Sequence, residues 1–318
     1  MDVIRHIRSH PRRFTAPVLT LGNFDGVHRG HQAIFACVVA EARRLGGEAV
    51  AMTFEPHPLA ILHPERAPAA LTSLPDKLAL IAATGIDVLL LQHFTRAFAQ
   101  IEAEAFVERF VVAGLHVAKL VVGHRVSFGH ERRGNAAMLE ELGKRLGFAV
   151  EVVGPIRVDA HEVSSSRIRR AVAAGDMRLA ATLLGRPHRV GGRVVSGKQR
   201  GAALGFPTAN IDLAGSMVPP DGVYAVVAET RGGSFPGIAN IGRNPTFGEN
   251  TRTLEAHLFD FQGDLYGQRC HVTFIERLRD EIAFPSAEAL AAQIRRDADD
   301  VRSVLTARGV AVAPTARG

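Results

Sequence analysis

The sequence contains few aromatic residues and almost no cysteine. Of its 318 residues, two are cysteine, two are tyrosine and none is tryptophan, and aromatic residues make up 6% of the chain. Cys37 and Cys270 are far apart and each lies in an apolar stretch. This pattern is typical of buried thiols in a reducing compartment rather than of a disulfide framework. The cores are therefore expected to consist mainly of Val, Leu, Ile, Ala and Phe.

Long hydrophobic runs are also missing. No uninterrupted apolar run reaches the roughly 18 residues that a membrane span needs. The opening stretch MDVIRHIRSHPRRF is rich in arginine and lacks the apolar region of a signal peptide. We therefore expect a cytoplasmic protein without membrane association.

Clustered positive charge is absent as well. The net charge is +6 and the pI about 10.0, but only four residues are lysine and the arginines are scattered. Nucleic-acid-binding modules concentrate their basic residues on one face or arm. Anionic small molecules such as nucleotides explain a mild positive balance equally well. We expect no nucleic-acid partner.

The first half of the chain alternates between strand-like and helix-like segments. The strand-like segments are apolar and rich in β-branched residues, and glycines end several of the helices between them. Such alternation predicts an α/β fold with a parallel sheet covered by helices on both faces. The predicted strands are 16–22, 48–56, 86–94, 118–124 and 148–158.

The pattern changes near residue 187. Short strands separated by Gly, Pro and Asp predict a mainly antiparallel β-barrel or sandwich. Ser286 is expected to cap a last amphipathic helix, with Glu288 in its first turn. The sequence thus predicts an α/β domain over 1–186, a β-rich domain over 187–305 and a tail over 306–318.

The stretch LTLGNFDGVHRGHQ (19–32) runs from a strand through a glycine-containing loop into a helix. A helix N-terminus after such a loop is suited to anions. His28 and His31 are three residues apart around Gly30, so both imidazoles can face one volume. Asp25 can orient an imidazole or position a metal-bound phosphate. The residues alone leave three interpretations open: capping and packing histidines, a zinc site, or a cradle for a triphosphate.

GNFDGVHRGH resembles the HxGH nucleotidyltransferase signature in the form used by bacterial bifunctional riboflavin kinase/FAD synthetases. The resemblance extends through TFEPHP (53–58), LTSLPDKLALI (71–81) and SSSRIRRAV (164–172). It implies a Rossmann-like domain in which the phosphate of FMN attacks the α-phosphate of ATP and pyrophosphate leaves. By the resemblance His28 and His31 are catalytic, and the nucleotide is held by Gly22, Asn23, Asp25, Gly30, Ser165, Ser166 and Arg167. By itself, SSSRIR is more often just a helix N-cap.

One segment departs from the family pattern. VVGHRVSFGHERRG (121–134) resembles a stretch of the form G-x-D-F-x-F-G that lines the flavin and nucleotide site of the family. Arg125 stands where Asp or Asn is expected, and Val126 where Phe is expected. An arginine there reverses the local charge and adds bulk, which would weaken FMN placement or add a contact to a phosphate. On this interpretation, Arg125→Asp should raise FAD output.

LGFPTANIDL (204–213) and RTLEAHLFDF (252–261) suggest a second site. Thr208 and Asn210 are two apart, so in an extended chain both point to one face with hard oxygen ligands for Mg²⁺. The alternative is that they make ordinary turn hydrogen bonds. Glu255 lies in mid-strand and is either a general base or a residue on a solvated face. The basic segment RVVSGKQRG, with Gly197, Lys198 and Gly201, is suited to wrap ATP phosphates.

GFPTANI, GVYAV, NIGRNPTFG, LEAHLFDFQGDLYG and RLRDEIAF together resemble the riboflavin kinase domain over nearly all of 187–305. The resemblance implies that Thr208 and Asn210 hold Mg²⁺ with ATP, and that Glu255 takes the proton from the ribityl 5′-hydroxyl of riboflavin. We therefore expect a bifunctional enzyme that converts riboflavin to FMN and FMN to FAD, with self-association left open. The alternatives are a kinase whose first domain is defective, a non-catalytic flavin-nucleotide-binding protein, and a nucleic-acid-binding module.

Overall fold

The structure is a computed structural model that describes residues 1–5, 13–196, 206–213, 215–243 and 252–310. The chain forms two compact units, one of residues 1–68 and 74–164 and one of residues 69–73 and 165–318. The domain limits inferred from the sequence, 1–186 and 187–305 with a tail, stay predictions. Within the described ranges, no helix is both long and apolar enough to cross a membrane.

The first unit contains a six-stranded sheet in which every neighbouring pair of strands is parallel. The order of the strands is β1-β4-β3-β2-β5-β6. This arrangement confirms the predicted parallel α/β fold. The strands are β1 (Asp2–Arg5), β2 (Val18–Leu21), β3 (Ala49–Glu55), β4 (Val88–His93), β5 (Lys119–Gly123) and β6 (Ala149–Val153).

Helices cover both faces of this sheet. They are α1 (Arg29–Arg44), α2 (Pro58–Leu62), α3 (Leu74–Ala82), α4 (Arg96–Ala99), α5 (Ala103–Phe106), which continues as a π-helical turn (Val107–Val112), and α6 (Ala136–Leu146). Alternate residues of each strand enter two different cores. In β3, Val50 and Met52 pack with α5 and α6, whereas Ala49 and Ala51 pack with α1 and α3. Burial on both faces explains why these strands read as continuous apolar runs.

Strand β1 was not predicted from the sequence. This strand pairs with β4 at the edge of the sheet, and of its four residues only Ile4 is buried. A four-residue edge strand with one apolar contact has too short an alternation to be recognised as a strand. A hairpin follows β6 in the first unit and consists of β7 (Arg157–Val158) and β8 (His161–Glu162).

The second unit contains a closed antiparallel barrel, which confirms the β-rich prediction. Its strand order is β10-β13-β12-β11-β14-β9. Two helices precede the barrel, α7 (Ser165–Ala173) and α8 (Met177–Leu184). The strands are β9 (His188–Val195), β10 (Ala209–Ile211), β11 (Gly222–Thr230), β12 (Gly233–Arg243), β13 (Arg252–Leu258) and β14 (Arg269–Arg279).

A long helix, α9 (Ala287–Ala307), packs on the outside of the barrel. Ser286 caps it as predicted, because its side chain accepts a hydrogen bond of 3.2 Å from the Ala289 amide. Val301 and Leu305 are fully buried and share a core with Val223 and Ile238. Burying such side chains contributes about 1.5–3 kcal/mol each. The helix therefore stabilises the barrel face against which it packs.

Candidate active sites

The strand order of the first unit reverses between β2 and β5. From β2 the chain continues to β3 and β4 on one side, and from β5 to β6 on the other. In open parallel sheets, ligands bind outside the carboxyl ends of the strands at such a switch point. Two loops flank this position, residues 22–28 after β2 and the segment that begins with His124 after β5. The predicted anion-binding loop thus lies where the topology places a ligand.

The 22–28 loop is strained. Phe24 and Val27 adopt left-handed backbone conformations with φ of 49° and 39°, and Gly26 between them has φ of 86°. This region is rare for residues other than glycine and is unusual for a β-branched residue such as Val27. The Phe24 and Val27 side chains are buried in the core beneath α1. Core packing therefore holds the loop in a conformation that its sequence would not adopt alone.

His28 forms the N-cap of α1. Its Nδ1 accepts a hydrogen bond of 3.3 Å from the His31 amide, which leaves Nε2 to carry the proton of a neutral imidazole. A Cβ atom on Gly30 would lie 3.1 Å from the His28 ring. A side chain at position 30 would therefore crowd this imidazole. This is a second reason for glycine at this position, besides the close approach of a ligand predicted from the sequence.

His31 stacks on His28, with ring centroids 3.5 Å apart and planes 18° from parallel. Burial, and secondarily the neighbouring His28, lower the pKa of His31 well below its usual value. Its Nδ1 is buried and has no hydrogen-bond partner among the residues that the structure describes. The two histidines are therefore brought together as predicted, with His31 as a neutral imidazole that can exchange hydrogen bonds rather than contribute a full positive charge.

The other predicted residues of this loop have different surroundings. The Asn23 side-chain amide lies 3.3 Å from His57 Nε2, and the backbone carbonyl oxygen of Asn23 accepts a hydrogen bond from the Thr53 hydroxyl. Asp25 is buried, with 8% of its surface exposed. A Cβ on Gly22 would lie 3.0 Å from the Phe24 ring, so this glycine makes room for packing.

His57, in the motif TFEPHP, contacts the 22–28 loop and was not singled out from the sequence. Its pairing with Asn23 joins two segments that are 34 residues apart. In the described part of the chain, no group of three or more His, Cys, Asp or Glu is arranged to hold a metal ion.

Ser165, Ser166 and Arg167 open α7, as predicted for a helix start. They belong to the second compact unit. Their participation with His28 and His31 in one nucleotide site stays a prediction.

In the barrel, Asn210 and Glu255 lie directly opposite each other on β10 and β13, and Asn240 on β12 lies opposite Glu255. Residues opposite each other on neighbouring strands point to the same face. The three side chains therefore form a polar row, in which Asn210 is 6% exposed. The Asn210 Oδ1 atom is buried without a hydrogen-bond partner among the described residues. A buried oxygen in this state is suited to a cation or another donor that a ligand supplies.

A cavity of about 360 Å³ lies on the opposite face of β10 and β13 from the polar row, where Ala209, Ala256 and Leu258 line it. Thr208 and Pro207 line it on one side, and Phe261, Leu265 and Tyr266 line it on another. Asn210 and Glu255 are not part of its lining. Of the predicted kinase residues, the structure places Thr208 at the cavity, and Asn210 and Glu255 on the opposite face of β10 and β13.

His257 contacts the segment that contains Thr208 and was not singled out from the sequence. Its Nδ1 hydrogen-bonds the Pro207 carbonyl at 2.8 Å. Burial lowers the pKa of His257, so the neutral ring is the stable form. The alternation of RTLEAHLFDF, which places His257 on the same face as Glu255, contained the signal. Gly197, Lys198 and Gly201 lie outside the described residues, and their contact with phosphates stays a prediction.

These features define a class of protein: a two-unit chain with a parallel α/β unit and a closed antiparallel barrel that carries a carboxylate beside two amide side chains. Two family models match the chain, "FAD synthetase" over residues 10–167 and "Riboflavin kinase" over residues 184–305. The chain belongs to the bifunctional riboflavin kinase/FMN adenylyltransferase family, with an FAD synthetase domain followed by a riboflavin kinase domain.

Two relatives bear the name bifunctional riboflavin kinase/FMN adenylyltransferase. The protein of Haemophilus influenzae is 40% identical over 304 residues, covering 95% of this chain and 99% of its own. The protein of Pseudomonas fluorescens is 42% identical over 305 residues, covering 96% of this chain and 98% of its own. A crystal structure titled macrolide-efflux protein from Streptococcus pneumoniae is also similar, with a TM-score of 0.85, 30% identity and coverage of 95% and 99%. The similarity to these proteins therefore spans both units.

Proposed function

We propose that the barrel unit phosphorylates riboflavin to FMN through Thr208, Asn210 and Glu255, and that the α/β unit adenylylates FMN to FAD through His28 and His31. The observation that carries the assignment is the direct opposition of Asn210 and Glu255 across β10 and β13. Two motifs 45 positions apart in the sequence thereby meet on one face of the barrel. Membership of the family supports both reactions.

In the kinase step, Glu255 accepts the proton of the ribityl 5′-hydroxyl. The hydroxyl oxygen then forms a bond to the γ-phosphorus of ATP, the bond to the β,γ-bridging oxygen breaks, and ADP leaves. Phosphoryl transfer depends mainly on positioning and charge neutralisation, so the base supplies only part of the rate. Glu255 is half-buried in mid-strand, where its backbone is fixed by β10 and β12 on either side.

Thr208 and Asn210 fit a magnesium ion. Both supply hard, neutral oxygens, and the Asn210 Oδ1 atom has no hydrogen-bond partner among the described residues. When bound, the ion would neutralise charge on the phosphate oxygens of ATP. The cavity beside Thr208 has aromatic and aliphatic walls from Phe261, Leu265 and Tyr266, which suits a purine ring.

In the adenylyl step, an oxygen of the FMN phosphate attacks the α-phosphorus of ATP and pyrophosphate leaves. No protein nucleophile takes part. The N-terminus of α1 and the Nε2 proton of His28 face developing negative charge on the leaving group. Since His31 is neutral, it acts as a hydrogen-bonding partner, and a bound triphosphate would raise its pKa. Ser165, Ser166 and Arg167 are proposed to hold ribose or phosphate oxygens.

The test is incubation of the purified protein with riboflavin, ATP and Mg²⁺, followed by chromatographic separation of the flavins over time. FMN followed by FAD supports both assignments. FMN alone, also when FMN is the supplied substrate, would favour a kinase with a defective first unit. Binding of flavin nucleotides without any product would favour a storage protein. Cytoplasmic location and self-association stay predictions.

A further inference from the structure

Arg125, the residue that departs from the family pattern, is neutralised by a partner 37 positions further along the chain. Its Nη2 lies 2.7 Å from Glu162 Oε1, and His124 Nε2 lies 3.4 Å from the same oxygen. The Arg125 and Glu162 side chains are 64% and 30% exposed, but the Oε1 atom is buried. The geometry is that of an ion pair without a formal hydrogen bond. Removing the arginine would therefore leave a buried carboxylate oxygen with only His124 beside it.

This ion pair links the loop after β5 to the β7–β8 hairpin. Arg125 lies just after β5, which is one of the two strands that flank the reversal of strand order. Glu162 ends β8, and the next residue, Val163, lies 3.9 Å from where a Cβ of Gly30 would be. The pair thus holds the β7–β8 hairpin to the β5 loop, at the point where the hairpin approaches the His28 helix start.

We propose that Arg125 and Glu162 form a clasp that positions the hairpin and the β5 loop for adenylyl transfer. The clasp requires that the two residues carry opposite charges, and exchanging the two charges preserves it. The two residues are positioning residues that act through the backbone of these two segments. On the proposed assignment of the triphosphate to the 22–28 loop, FMN would take the β5 side of the switch point, where the clasp acts. This inference rests on the proposed FAD synthesis.

The clasp reverses the expectation drawn from the sequence. Arg125→Asp would not restore a missing carboxylate. Instead, it would place two carboxylates together, because Glu162 already lies beside position 125. Like charges brought together at a partly buried site are strongly unfavourable. We therefore expect this variant to lower FAD output.

The test compares Arg125→Glu, Glu162→Arg and the double reversal Arg125→Glu/Glu162→Arg with the wild-type chain. Arg43→Glu is a matched control, because Arg43 and Asp87 also form a 2.7 Å ion pair in the first unit, with exposures of 54% and 33%. Asp87 lies just before the amino end of β4, whereas the switch-point site lies at the carboxyl ends of the strands. For each protein, kcat and the KM for FMN and for ATP are measured in adenylyl transfer. The melting temperature and the riboflavin kinase rate are measured on the same preparation.

Each single reversal at the clasp is expected to raise the KM for FMN by about tenfold or more, while kinase activity stays unchanged. The double reversal should return that KM to within about threefold of wild type. Arg43→Glu should alter the KM for FMN by less than twofold, even if it lowers the melting temperature as much as the single reversals at the clasp do. If a single reversal fails to fold, Arg125→Gln takes its place with an expected rise of about threefold.

An unchanged or lower KM for FMN in Arg125→Glu would overturn the clasp, and so would a double reversal as impaired as the singles. A wild-type chain that makes FMN but no FAD would instead contradict the proposed adenylyl transfer, and the clasp would fail with it. The two failures are therefore told apart by the wild-type reaction.

Discussion

Asn210→Leu tests whether the polar side chain of Asn210 lowers the free energy of unfolding of the unliganded barrel while serving ligand binding. Asn210 is almost fully buried, and its Oδ1 has no hydrogen-bond partner among the described residues. A buried polar atom in this state costs about 1–3 kcal/mol. Leucine has a similar shape and carries no polar atom. Without nucleotide and metal, we expect the substitution to raise the free energy of unfolding by about 1 kcal/mol, or about 2–4 °C in melting temperature for a unit of this size.

The same substitution should abolish the kinase. Loss of groups that merely support a metal ligand lowers metal affinity or activity by about 10–100-fold. Loss of a direct ligand should therefore reduce riboflavin phosphorylation at least about a hundredfold. Adenylylation of supplied FMN takes place on the other unit and should be unchanged. Calorimetry of the full chain in EDTA, together with the two activity assays, measures all three effects.

Asn240→Leu is the matched control two strands along the same row. The Asn240 amide donates a hydrogen bond of 3.0 Å to Glu281, so leucine there should lower the free energy of unfolding by about 0.5–1.5 kcal/mol. The two variants are chemically identical changes with opposite predicted signs. A destabilised Asn210→Leu, or one that phosphorylates riboflavin within tenfold of wild type, would show that Asn210 is an ordinary structural residue.

Three further predictions concern the two sites. Glu255→Gln keeps the shape of the strand but removes the base, so FMN formation should fall about 10²–10⁴-fold while adenylylation of supplied FMN persists; equal loss of both would contradict the division into two sites. His28→Asn preserves an N-cap acceptor for α1 but removes the imidazole, so FAD formation should drop with the kinase rate and melting temperature unchanged, and wild-type FAD formation would refute the assignment of the loop. His31 has a lowered pKa in the folded chain, so the unfolded chain binds more protons, and the stability of the first unit should fall as the pH drops below about 6.5. Between pH 8 and pH 5.5, the melting temperature should fall further for the wild type than for His31→Gln. Equal decreases would mean that His31 is not the group responsible.

The sequence predicted the elements whose burial gives a strong pattern. Strands of the parallel sheet such as β3 are apolar on both faces. In β13, apolar and polar residues alternate, and this pattern put Glu255 and His257 on the correct face. The edge strand β1 escaped detection because tertiary pairing with β4, rather than its own composition, makes it a strand.

The pairing of site residues could not be predicted in the same way. The register that places Asn210 opposite Glu255 is set by barrel closure, and no local pattern encodes it. The same holds for Glu162 as the partner of Arg125, since an ion pair between loops leaves no periodic signal. The charge state of His31 also depends on burial, which motif spacing does not reveal. Motifs thus indicated which residues take part, whereas their contacts required the fold.

Two buried polar atoms without hydrogen-bond partners in the described part of the chain lie at the positions where we propose that the chain binds its substrates. Among the described residues, two such atoms belong to His31 and Asn210, one at each of the proposed sites. A folding chain has no reason to retain this cost in its core, because apolar residues of similar shape would avoid it. At a site, however, a phosphate, a cation or a hydroxyl supplies the missing partner when it binds. The cost that destabilises the free protein then becomes a difference in free energy between the free and bound states, and it favours binding at both the α1 N-terminus and the polar row of the barrel.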